Sequence, residues 1–94
     1  MKLRYTSRAY TDLESILSYL AKQSPEGARN VLSRINRATD QLASQPYSGK
    51  ATSRPDIRVC MIGRYPYKVF YRIVQGEIQI IHIRHTARRP FELK

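Results

Sequence analysis

With 94 residues the chain makes one domain, residues 1–94, with one modest core and no room for a second. It carries 17 Lys plus Arg against 7 Asp plus Glu, a formal charge of +10, so its field attracts polyanions and acidic protein segments. A single cysteine, Cys60, excludes an internal disulfide, and no Cys/His spacing resembles a zinc site, so neither a metal nor another cofactor is expected and a reducing cytoplasm is the natural compartment.

The N-terminal "MKLRYTSRAY" has charges throughout and lacks the apolar region of a signal peptide, and no stretch is long enough to cross a bilayer, so no membrane partner is expected. Lys2 to Thr6 alternates, with Leu3 and Tyr5 on one side, and reads as a first strand. Ser7 is placed to cap a helix over residues 8 to about 23, whose Leu13, Ile16, Leu17 and Leu20 recur at helical spacing. "SPEG" at 24–27 then supplies a capping Ser24, a proline at the first helical position and Glu26 where a negative charge suits the helix dipole. Ala28, Val31, Leu32, Ile35, Thr39 and Leu42 form the apolar stripe of this second helix, which runs to about Ser44. Helices joined so tightly predict an antiparallel hairpin.

Residues 45–56, "QPYSGKATSRPD", have no apolar period and read as an exposed loop, the segment expected to be most mobile. Beyond it Ile57–Ile62, Tyr67–Val74 and Glu77–His85 read as strands separated by "GRYP" and "QG", a meander. The order βααβββ predicts an α+β fold, the helical hairpin lying on one face of a small, mainly antiparallel sheet of about four strands.

The chemistry-bearing residues gather in the second half. Arg58, Arg64, Lys68, Arg72 and Arg84 fall on or between the three strands, and Lys68 and Arg72 share a parity with Phe70, which predicts a partly cationic sheet face. A solvated face of a basic protein accounts for that pattern equally well. His82 and His85 invite a proton-transfer role beside the arginines, but in a strand they point to opposite faces, and a lone strand histidine is more often a packed residue. Asp12, Glu14, Asp40 and Glu77 have no spacing that pairs two of them and read as surface charges. Tyr65, Tyr67, Phe70 and Tyr71 suit base stacking, or simply the core and rim of a sheet.

The helix "SRAYTDLESILSYLA" with Asp12, Leu13 and Ile16, the block "RYPYKVFYRI", and the closing "IIHIRHTARRP" together resemble the RelE/ParE superfamily of bacterial toxins from type II toxin–antitoxin modules, nearly end to end. The resemblance implies a cytoplasmic toxin neutralised by a cognate acidic antitoxin. In the RelE-like branch it implies a ribosome-dependent mRNA endoribonuclease, for which Arg64, Arg84 and His85 are the catalytic candidates. In the ParE-like branch it implies a non-enzymatic inhibitor that poisons DNA gyrase. No tyrosine follows His85, and the tail "TARRPFELK" is more like the ParE type, so the ParE-like reading is preferred. Arg58, Arg64, Lys68, Arg72, Arg84, Arg88 and Arg89 are then the candidates for binding target or antitoxin. A plain nucleic-acid binder is a third possibility, recognisable by steep salt dependence.

Overall fold

The structure is a computed structural model that describes residues 1–86. Its elements are β1 (Lys2–Tyr5), α1 (Ser7–Gln23), α2 (Pro25–Ser44), β2 (Lys50–Ala51), β3 (Arg58–Met61), β4 (Tyr67–Val74) and β5 (Glu77–His85). The α+β architecture expected from the element order is present, with one correction: the sheet has five strands, in the order β1-β5-β4-β3-β2, because Lys50–Ala51 pairs with β3. β1 runs parallel to β5, and the remaining pairs are antiparallel.

Local chemistry sets the helix ends. Thr6, one residue earlier than expected, caps α1 by accepting the Ala9 N–H at 3.2 Å, while its own N–H donates to the Ile80 carbonyl at 2.9 Å. One residue therefore starts the helix and anchors it to β5. Ser24 accepts the Gly27 N–H at 3.0 Å and donates its backbone N–H to Leu20 at 2.7 Å, ending α1 and starting α2 at a single position.

The core lies between the hairpin and the sheet. Ala9, Val31, Ile35 and Leu42 descend from the helices onto Val69, Tyr71, Ile78, Ile80 and Ile83. Each fully buried isoleucine contributes about 1.5–3 kcal/mol by leaving water. At the β4–β5 turn Gln75 and Gly76 both have positive φ, 50° and 72°, the backbone that a two-residue hairpin needs to match strand twist. The β4–β5 register steps from Phe70↔His82 to Tyr71↔Ile80, leaving Ile81 over as a bulge, which keeps Ile80 and Ile83 on the same side.

The stretch from 45 to 56, expected to be irregular, is held by the wholly buried Tyr71. The Tyr71 hydroxyl donates to the Pro46 carbonyl at 2.8 Å and accepts the Gly49 N–H at 2.9 Å. Burial pushes this phenol above its ordinary range, opposed by the Gly49 N–H and the nearby Arg58 charge. Tyr5 offers a contrast. Its hydroxyl is buried without a well-formed hydrogen bond among the described residues; burial pushes the phenol up, and the neighbouring Thr39 hydroxyl, which donates to the Asn36 carbonyl at 3.0 Å, opposes that only in part. Tyr5→Phe should therefore leave stability unchanged or raise it by up to about 1 kcal/mol, read as the urea midpoint; a loss of that size would show that the hydroxyl is satisfied in solution.

Candidate functional site

β1 pairs with β5 only as far as Ile80, so the last residues of β5, still paired with β4 on one edge, run on beside α1 on the other. A cavity of about 650 Å³ opens there, between α1, the start of α2, the β3–β4 turn and the end of β5. Its apolar wall is made by Ile16, Leu20, Val31, Pro66, Tyr67 and Ile83, and Arg8, Asp12, His82, Arg84 and His85 supply polar groups. Tyr19, on the same wall, is 59% exposed, so a large ring stands at the mouth.

Asp12 organises one side of this cavity. Its Oδ2 lies 2.5 Å from His82 Nδ1 and accepts the Ile83 N–H at 3.1 Å, while Oδ1 accepts from Arg8 Nε at 3.1 Å. The carboxylate thus replaces the missing neighbour strand for one orphan N–H and places the proton of the His82 imidazole on Nδ1. The other face of His82 stacks on Phe70, with centroids 5.9 Å apart and planes at 24°. A ring only 7% exposed and held on these sides acts as a strut rather than as an open proton shuttle.

Asp12 was expected to be a surface charge; it is instead half-buried and central. The signal was present: it lies three residues after Ala9 and four before Ile16, inside the apolar stripe of α1, where a carboxylate needs a partner. His82 and His85 do take opposite faces, yet both border the cavity. His85 sits on the helix side, edge-on to Tyr67 at 5.3 Å.

The candidate cations are dispersed. Lys68, Arg72 and Arg84 share the face opposite the helices with Val59, Met61 and Phe70, as their cross-strand pairing requires. Arg72 donates to Gln79 at 2.9 Å, and Gln79 reaches Glu77, which pairs with Arg4. Arg58 pairs opposite Tyr71, on the other face, where it donates to the Gly49 carbonyl at 2.7 Å and lies 5.1 Å from the Tyr47 ring centroid. It therefore braces the 45–56 segment. Arg64 belongs to neither face: it lines a second hollow of about 300 Å³ with Asn30, Ser33, Arg34 and Tyr65, the last of which also lines the larger cavity. Arg88 and Arg89 lie outside the described residues. Among the described residues no group of His, Cys, Asp and Glu could hold a metal ion, and no helix is long and apolar enough to cross a membrane.

Comparison with known proteins adds what geometry alone does not. The model of a family described as the ParE toxin of the type II toxin–antitoxin system, parDE, matches residues 3–90. The chain belongs to this ParE toxin family. The Y4kP protein of Sinorhizobium fredii is 33% identical to it over 88 residues, covering 94% of this chain and 91% of Y4kP. Toxin RelE2 of Caulobacter vibrioides is 32% identical over 84 residues, covering 89% and 93%. A chain of the chromosomal ParDE toxin–antitoxin system from P. aeruginosa superposes with a TM-score of 0.78 at 27% identity, covering 90% of this chain and 95% of that one. This ParE-family toxin is thus the toxin of a type II toxin–antitoxin system, and it has the helical hairpin and mixed sheet of the RelE/ParE superfamily.

Proposed function

We propose that this toxin acts in the bacterial cytoplasm by poisoning DNA gyrase, and that a cognate acidic antitoxin silences it by docking into the cavity between α1, α2 and the end of β5. The dispersal of the candidate catalytic groups carries the reading. Cleaving RNA by proton transfer and phosphate stabilisation needs those groups within hydrogen-bond reach of one phosphate. Here His85 packs on Tyr67 at the helix side, Arg84 belongs to the opposite sheet face, and Arg64 lines another hollow. An inhibitor that acts by binding needs no such convergence. The apolar wall with Arg8 and Arg84 beside it suits an antitoxin helix that brings apolar anchors and carboxylates.

The test is to induce the toxin and, at the onset of growth arrest, to map mRNA 5′ ends alongside gyrase-linked DNA breaks and the SOS response. DNA breaks without new mRNA ends are expected. His85→Ala should still arrest growth, since no proton transfer is required of it; loss of arrest in a variant that remains folded, with new codon-phased ends in the parent, would overturn the reading. A RelE-like, ribosome-dependent mRNA endoribonuclease is the second reading. Similarity to a toxin named RelE2 favours it, as does the presence of Arg84 and His85 on the lining of one cavity.

A further inference from the structure

The smaller hollow lies between α2 and the β3–β4 turn and adjoins the cavity assigned to the antitoxin, with Tyr65 on the rim between them. Asn30, Ser33 and Arg34 come from one side of α2, Arg64 and Tyr65 from the turn. Among the described residues no carboxylate lines it, although two guanidinium groups do. Neither Arg34 nor Arg64 has a hydrogen bond or ion pair among the described residues, in contrast to Arg4, Arg8, Arg58 and Arg72, which all do. The turn is shaped to admit Arg34. Gly63 has φ +49°, and a Cβ there would lie 3.3 Å from Arg34 Nη2, so the guanidinium rests over a glycine whose backbone a larger residue would strain.

From these features we infer that the hollow is a phosphate subsite for a nucleic-acid strand, in which Arg34 and Arg64 hold one backbone phosphate and Tyr65 stacks on the adjoining base. Guanidinium forks match phosphate and carboxylate alike. The neighbouring side chains favour the nucleic acid: Asn30, Ser33 and Tyr65 add neutral donors for sugar and phosphate oxygens, and Tyr65, half-buried against the core, turns aromatic surface into the hollow that suits a base better than an acidic side chain. A space of about 300 Å³ has room for a phosphate with its sugar. The inference goes beyond the choice of cellular target, because it concerns contact made by the toxin itself, with neither gyrase nor ribosome present.

The experiment uses the purified full chain and short dye-labelled single strands of DNA and of RNA, with binding measured by fluorescence anisotropy across a salt series. Arg34→Gln/Arg64→Gln should weaken binding about tenfold and lower the slope of log affinity against log salt by about one. Lys22→Gln/Lys50→Gln removes the same charge away from the hollow and should do much less. Arg64→Gln alone, at an exposed position, keeps the test valid if the loss of Arg34 disturbs the turn. The tighter of the two labelled strands identifies the source of the phosphate, DNA or RNA. Tyr65→Leu should weaken single-strand binding, and inorganic phosphate should shift the NMR signals of the Asn30 side-chain amide and the Gly63 amide. Equal losses in the two double variants would reduce the effect to bulk charge and overturn the subsite. So would displacement of the strand by a glutamate-rich peptide together with no response to phosphate, which would make the hollow a carboxylate site.

Discussion

Asp12→Ala should lower the stability of the toxin by about 3 kcal/mol, the usual scale for removing one member of a buried, hydrogen-bonded pair. Most of that cost arises at β5. The Ile83 N–H loses its acceptor and the His82 imidazole loses the group 2.5 Å from Nδ1, both in a region where water has little access. The Arg8 contact contributes little, because that guanidinium is 63% exposed: an ion pair between neighbours on one helix face that is open to solvent on the arginine side is worth a few tenths of a kcal/mol. Urea unfolding of Asp12→Ala, His82→Leu and the double variant would separate the terms. The double variant should lose less than the sum, since the apolar replacement no longer leaves a polar ring without its partner. Strict additivity would mean that the Asp12–His82 contact adds nothing to stability. Arg8→Ala is expected to shift the midpoint only slightly.

Gly49→Ala should cost about 2–3 kcal/mol for one added methyl group. A Cβ at this position would stand 2.4 Å from the Tyr71 hydroxyl and 2.7 Å from its Cε1. Tyr71 cannot move aside without disturbing the core it shares with Ile78 and Ile80. The loop must yield instead, losing the bonds from Gly49 and to Pro46 and loosening the Arg58 contact to the Gly49 carbonyl. The urea midpoint should fall, and amide exchange should accelerate through residues 46–52. Gly27→Ala, whose added Cβ would meet only the Ser24 side chain at 3.3–3.4 Å, is the natural comparison and should be far milder. Similar losses in the two variants would show that the loop is not riveted through Tyr71.

These two sites mark where reading the chain forward succeeds and where it stops. The helices were legible because Leu13, Ile16 and Leu20, and then Val31, Ile35 and Leu42, repeat at a period that only a helix satisfies, and "QG" announced the tight hairpin at Gln75 and Gly76. The strand at Lys50–Ala51 was not legible, because two exposed residues carry no alternation; pairing with Val59 and Arg58 makes them a strand. Thr6 and Ser7 are both able caps, and tertiary contact with Ile80 selects the first. Arg58 was grouped with the other cations because parity can be counted within one strand but not between strands, and only the register opposite Tyr71 assigns its face. How the candidate residues group in space was not legible either: Arg84 borders the larger cavity and Arg64 the smaller hollow, and Arg34, in the middle of α2, gave no sign that it would share that hollow with Arg64.

The parallel pairing of β1 with β5 also has a meaning in time. Lys2 meets Glu77 and Tyr5 meets Ile80, so β1 has no parallel partner until β5 has left the ribosome. Such distant pairings are slow to form, because a long loop must close before any contact repays it. While the chain is being made, the helical hairpin has no complete sheet to pack on. A toxin built this way completes its sheet only once β5 has been made, so an antitoxin already present meets the finished surface as soon as it forms.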